Sequence, residues 1–275
     1  MFQDHQRFEG FWKTPSLWKE DRLFGLRQFN LPVLDFREAF YSAINSEKIS
    51  GSVLGKRVER FFEVGLQQQE DLEIITANLQ ISREKITLGE IDFLVRDKKE
   101  ERVSHIELVY KFYVYDPTFP EELARWIGPN RRDSLLQKTE KLKQKQLPLL
   151  YKPETKEALK AMDLDTSDIR QEVCFKANLF VPKHLAGLEF PLINNQCIAG
   201  YWISFSDFSE ENYGDFEYFT PVKKDWPVNP DSGREWFSYK EIKEQIKDLF
   251  EYKKAPLVWM KKGDEEYERL FVVWW

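Results

Sequence analysis

LGEIDFLVRDKKEERVSHIELVYKFYVYD, residues 88–116, decides the fold. Two apolar runs alternate with period two on either side of a charged centre, the pattern of a β-hairpin. Successive strand side chains point to opposite faces. Glu90, Asp92 and Leu94 therefore share one face of the first strand, and His105, Glu107, Val109 and Lys111 one face of the second. Acids thus stand where a sheet ordinarily buries hydrocarbon. A two-residue turn at Lys99-Glu100 sets a register that puts Asp92 directly across from Glu107, with Cβ atoms about 5 Å apart. Like charges placed opposite each other destabilise a sheet, so the arrangement asks for a cation, a proton or a lysine between them.

Outward from the hairpin, Leu54, Val58, Phe61, Phe62, Gly65 and Leu66 fall on one stripe at helical spacing, which predicts a helix over 54–69. A helix is expected over 36–48 as well, and residues 1–35, with Trp12, Pro15, Trp18 and Pro32 and no sustained period, read as an irregular arm on the body. A strand over 72–81 leads into the hairpin. Pro117, Pro120 and Pro129 break the backbone over 117–130 into turns. Asn130 or Asp133 can cap a helix that runs to about Leu147, before Pro148. A short helix over 153–162 and an apolar strand over 172–181 follow. Further strands are expected over 195–204, 216–220, 257–260 and 269–274. The helix over 238–250 opens on a capping box, Ser238 with Glu241.

GEIDFLV followed by HIELVYK resembles the second and third strands of the PD-(D/E)XK nuclease superfamily, whose signature is an Asp at the end of one strand and Glu-x-Lys on the next. With LGKRVE at 54–59, KFYVYD at 111–116 and GPNRRDSLLQK at 128–138 followed by QLPLL, the chain also resembles a bacterial family grouped with those nucleases, the domain of unknown function 1853 family. The resemblance implies an α/β (α+β) protein with a restriction-endonuclease-like αβββαβ core and a mixed sheet, extended by a C-terminal α+β portion. The expected divisions are 1–53 as an N-terminal arm and helix, 54–182 as the core, and 183–275 as an extension of its sheet or a second lobe. It further implies a hydrolase that uses Mg²⁺ or Mn²⁺ on DNA or RNA, with Asp92 and Glu107 as metal ligands. Glu59, on the first helix, either adds a third carboxylate or is a solvated glutamate near Lys56 or Glu63.

The chain departs from the family pattern at the lysine. Glu-x-Lys places it at position 109, which is Val109; Lys111 lies two residues further on the same face, its Cα about 13 Å from that of Glu107. Lys111 can lean back toward the acids, or Lys138 can enter from the helix. On that helix Arg131, Lys138, Lys141 and Lys145 fall within about 80° of one another, a basic stripe suited to a phosphate backbone or to solvent.

Composition narrows the alternatives. The 275 residues carry 42% hydrophobic side chains and a net charge of −6, which fits a folded globular protein and opposes indiscriminate nucleic-acid binding. The 22 Phe, 11 Tyr and 9 Trp read as a bulky core, though Trp226 and Trp236 are of a kind that stacks bases. Cys174 and Cys197 lack metal-type spacing and read as reduced core residues of a cytoplasmic protein. No signal peptide or membrane helix is expected. His5, His105 and His184 show no zinc spacing, and His105 beside Glu107 is either a supporting group of the acid site or a packed strand histidine. Two functions remain: a metal-dependent nuclease, or an inactive nuclease-fold protein that binds nucleic acid or another protein.

Overall fold

The computed structural model describes residues 2–36, 40, 41, 44, 45, 53–233 and 235–275; the helix expected over 36–48 falls for the most part outside them. The N-terminal stretch is more regular than its sequence suggests. It forms helix α1 (Asp4–Lys13) and a small ribbon, β1 (Arg22–Leu23) with β2 (Leu26–Arg27). Helix α1 buries Phe8, Phe11 and Trp12 against the body, and Phe8 and Phe11 each meet Phe61 of α2 (Leu54–Gln67). The apolar stripe of α2 is buried as the spacing predicts, with Phe61 and Phe62 fully enclosed, each worth about 1.5–3 kcal/mol of transfer free energy.

Strands β3 (Leu72–Arg83), β4 (Ile86–Asp97) and β5 (Arg102–Tyr115) then run as an antiparallel meander. The hairpin has the expected register, Phe93 opposite Ile106 and Asp97 opposite Arg102, although the turn spans Lys98–Glu101. Asp97 Oδ1 accepts from the N–H groups of Lys99 and Glu100 at 2.9 and 3.1 Å, and Glu101 takes a left-handed φ of +48°. After the short helix α3 (Glu122–Arg125), β6 (Trp126–Ile127) returns to pair with the far end of β5.

The next helix departs from its predicted span. It begins at Leu135 rather than near Arg131, and α4 (Leu135–Lys141) is capped by Ser134, whose side chain accepts from Gln137 N–H. Asn130 and Asp133 have other partners, the N–H of Ala255 and Lys111, and Arg131 stands at φ +54°, a backbone shape no helix contains. The chain continues through a π-helical turn, Leu142–Gln146, into a 3₁₀ turn, Leu147–Tyr151, that includes Pro148. Proline is tolerated there because the first residues of a new turn need no N–H partner.

Helix α5 (Pro153–Lys160) leads to β7 (Ile169–Pro182), which lies parallel to β5 along most of its length. The remaining elements are β8 (Ile198–Ser204), α6 (Glu210–Tyr213), β9 (Glu217–Phe219), α7 (Tyr239–Glu251), β10 (Leu257–Lys261) and β11 (Tyr267–Val273). They continue the same sheet in the order β7-β8-β11-β10-β9, so strands β3 to β11 form one mixed nine-stranded sheet. The expected capping box opens α7, with Ser238 and Glu241 exchanging bonds. Both cysteines are buried and free. Trp226 is buried, its ring edge-on to Phe112, and Trp236 stacks on Tyr267. No helix among the described residues is long and apolar enough to cross a membrane.

Candidate active site

Strands β4 and β5 stay paired from Asp97 to Phe93 and then part, β4 remaining with β3 and β5 with β7. Where the ladder stops, Asp92 Oδ2 accepts the Leu108 N–H at 2.9 Å, a side chain standing in for the next rung. Glu107, fully buried, accepts from His105 Nε2 at 2.9 Å and from the amide of Gln146. His105 is equally buried. On its other side Gln171 Nε2 donates to the Leu147 carbonyl at 2.5 Å and lies 3.3 Å from His105 Nδ1. A carbonyl only accepts, so the amide nitrogen faces the ring, and the network assigns the imidazole proton to Nε2, aimed at Glu107.

The electrostatics follow from burial beside a like charge. Burial, and then the Glu107 charge, push the Asp92 carboxyl up to about 7, against the opposing pull of the Leu108 N–H and Lys138. Burial draws Lys138 down to about 8, with Glu107 and Asp92 supporting its charged form. Its ammonium donates to Gln146 Oε1 at 2.8 Å, so Gln146 bridges the lysine to Glu107. The π turn that ends at Gln146 places this amide on the same side as Lys138; such turns recur at functional sites.

The other expected site residues are dispersed. Lys111 pairs with Asp133 at 2.6 Å, both half exposed. That approach needs the glycine at 128, because a Cβ there would stand 2.1 Å from Asp133 Oδ1. Glu59 pairs with Lys56 at 2.6 Å, though it still bears electrostatically on Asp92. Arg131 leaves the predicted basic stripe altogether: it pairs with buried Asp116 at 3.0 Å and lies over the Trp275 ring at 4.4 Å. Lys141 and Lys145 are exposed. Of the four stripe residues, Lys138 is the one whose charge bears on the acids. Beside it opens a cavity of 530 Å³ lined on one side by Leu54 and Glu59, on another by Leu108–Phe112, and closed by Gly128–Asn130, Arg132, Asp133, Lys223 and Trp226.

The sequence profile described as domain of unknown function (DUF1853) matches residues 33–273. The chain belongs to the DUF1853 family. No curated protein and no solved structure matches it. The DUF1853 match runs through β11, so the strands after residue 182 are part of the same family unit as the acid pair.

Asp92 and Glu107 are oxygen donors of the kind Mg²⁺ and Mn²⁺ accept, and after burial it is the Glu107 charge that pushes the Asp92 carboxyl up. On those grounds the pair fits a divalent cation. Glu59 is not a third member as placed, since no three His, Cys, Asp or Glu side chains among the described residues converge as a metal site. Gln146, Gln171 and Asp133's role as the Lys111 partner were not legible in sequence. A glutamine within QKQLPLL carries no periodic signal, and its orientation depends on the π turn.

Proposed function

We propose that this protein is a metal-dependent nuclease that hydrolyses phosphodiester bonds of DNA or RNA. Asp92 and Glu107 hold a Mg²⁺ or Mn²⁺ ion, and Lys138, not Lys111, is the catalytic lysine. One observation carries the reading: where the hairpin's strands part, the charges of Asp92 and Glu107 bear on each other, and a half-buried lysine from α4 stands within reach of their field and is linked to Glu107 through Gln146. The order α2, β3, β4, β5, α4, β7 supports it, being the αβββαβ order of the PD-(D/E)XK nucleases.

A bound divalent cation supplies charge neutralisation at the phosphoryl oxygens and an activated nucleophile. The chain's own groups do the rest. Lys138, near 8, holds a proton in balance close to neutral pH; as ammonium it steadies developing negative charge, and as amine it accepts a proton. Gln146 keeps that nitrogen beside Glu107, and His105 fixes the Glu107 carboxylate from behind. Lys111 is held by Asp133 and lies outside this group.

A second reading has its own support. Glu107 is fully buried with both oxygens engaged, which suits a scaffold that binds nucleic acid without cutting it. Calorimetric titration with Mn²⁺, beside degradation assays on plasmid, single-stranded DNA and RNA in Mg²⁺ and in chelator, separates the two. The nuclease reading expects one cation site, lost in Asp92→Asn and Glu107→Gln, and cleavage that stops in chelator. Binding of nucleic acid that persists in chelator, with no cleavage under any metal, selects the scaffold.

A further inference from the structure

Between the point where β4 leaves β5 and the point where β6 joins it, β5 has an unpaired edge inside the sheet. The Leu108 N–H on that edge is taken by Asp92, and the Asp116 N–H beyond it by the Arg125 carbonyl. Backbone N–H groups alternate along a strand, so those of Tyr110 and Phe112 face the same gap. This gap is the 530 Å³ cavity. Its outer wall is basic: Lys223, from the turn after β9, and Arg132 both line it, while Asp133, the acid among them, is committed to Lys111 at 2.6 Å. Among the described residues neither Lys223 nor Arg132 has a carboxylate within ion-pair distance, and Lys223 lies over the Trp226 ring at 5.5 Å. Burial, and then the neighbouring charge of Lys111, lower the Lys223 ammonium against the opposing pull of Asp133.

We infer that Lys223 and Arg132, with the bare edge of β5 between Leu108 and Phe112, form a phosphate-binding subsite that grips a single nucleic-acid strand next to the acid pair. The inference rests on the nuclease-like reading of that pair for its location and on the cavity for its chemistry. Backbone N–H groups and basic side chains are the donors that hold phosphates in protein–nucleic-acid contacts. The size selects the form of the ligand. A pocket of 530 Å³ falls in the range of about 300–1,000 Å³ that encloses a small organic molecule, enough for a nucleotide of a single strand and too little for a duplex. The subsite lies along β5 from Leu108 to Phe112, directly beyond Glu107 on the same strand, so a strand seated in it continues toward the acid pair. Lys223 also gives the part of the chain after residue 182 a role at the cleft, although its own segment contains no acid site.

The test is fluorescence anisotropy of a labelled single-stranded oligonucleotide in chelator, as a function of salt, for the parent, Arg132→Gln with Lys223→Gln, and Asp92→Asn. Both changed residues are exposed, and melting curves establish that the double variant is folded; Lys223→Glu serves as a second, stronger variant. The double variant should bind about tenfold or more weakly, uniformly across sequences, with a log–log salt slope shallower by about 1.4. Asp92→Asn should bind at least as well as the parent, and a duplex of the same sequence should bind more weakly. Equal affinity and slope in parent and double variant overturn the subsite, as does a parent that binds no strand in chelator; a duplex held as tightly through the same two residues overturns the strand preference. Because no cation is present, a protein that fails to bind Mn²⁺ can still pass, so the subsite and the metal reading fail independently.

Discussion

Asp92→Asn is the substitution whose effect the geometry specifies most closely. A carboxyl moved from 3.8 to about 7 loses about 4 kcal/mol of folding stability once fully ionised. Asp92 is partly open to solvent and shares its repulsion with Glu107, so about 2–3 kcal/mol is the figure to expect. The sign follows from proton counting. Between pH 4 and 7 the folded state holds a proton that the unfolded chain has released, so stability falls as pH rises through that window, and the loss is complete above it. Asparagine cannot ionise, yet its side-chain oxygen still accepts the Leu108 N–H that Asp92 accepts at 2.9 Å. The variant should therefore melt with the parent near pH 4 and above it by roughly 5–10 °C at pH 8.5, taking roughly 2–4 °C per kcal/mol for a chain of this size.

Mn²⁺ adds a second arm to the same melting experiment. At a concentration a hundred times its dissociation constant it should return about 2.7 kcal/mol to the parent at pH 8.5 and nothing to the variant. A gap between the two proteins that is the same at pH 4 and 8.5 would refute the reasoning, because it would mean that Asp92 carries no repulsion to relieve. A variant stabilised by Mn²⁺ as much as the parent would remove Asp92 from the cation site while leaving the electrostatic argument intact.

Lys138→Ala should lower cleavage by roughly 10² or more with the cation still bound, whereas Lys111→Ala breaks a half-exposed pair, costs less than about 1 kcal/mol in denaturant unfolding, and lowers cleavage far less; the reverse order would return the catalytic role to the strand. Reversing the exposed charges Lys141 and Lys145 to Glu should weaken oligonucleotide binding uniformly and flatten its salt dependence by about 1.4, and an unchanged slope assigns them to solvent. Arg131→Ala leaves buried Asp116 without its cation and should cost about 1–3 kcal/mol in chemical denaturation. Arg131→Gly should be the milder change by about 0.5–1 kcal/mol, since glycine suits φ +54°, and a harsher outcome for glycine would show that the backbone there is unstrained.

The elements were legible where one residue period dominates. The stripe of α2, the alternation of β4 and β5 and the Ser238 capping box each depend on residues close in sequence, and each stands where the pattern puts it. The site was half legible for the same reason. The register that turns Asp92 and Glu107 toward each other is local, but the ladder stops at Phe93 and Ile106, one step short of making them a cross-strand pair. The helix carrying Lys138 was mis-started because Arg131 gives a plausible basic stripe at 100° per residue, while its backbone lies in the left-handed region and its side chain answers to Asp116 and Trp275, 15 and 144 positions away by residue number. The N-terminal helix α1 was missed because its polar face is short and its apolar face is almost wholly aromatic, a composition that reads as irregular packing until Phe61 is set against it.

The acid pair and the cleft beside it have a common cause. An antiparallel ladder continued one step past Phe93 and Ile106 would set Asp92 against Glu107 and close a like-charged pair inside the sheet, which costs stability with nothing between the charges. Instead the ladder stops, and Asp92 spends its carboxylate on the Leu108 N–H that the missing rung would have used. From that point β4 follows β3 away, and β5 keeps an uncovered edge until β6 arrives at Val114. The opening is then the length of strand along which Val109, Lys111 and their neighbours line the cavity, so the same break in the ladder that sends Asp92 to the Leu108 N–H also opens the cleft. A glycine at 128 and an aspartate at 133 complete the far wall by turning Lys111 aside, and that leaves Lys138, arriving from α4, as the lysine the acids can reach.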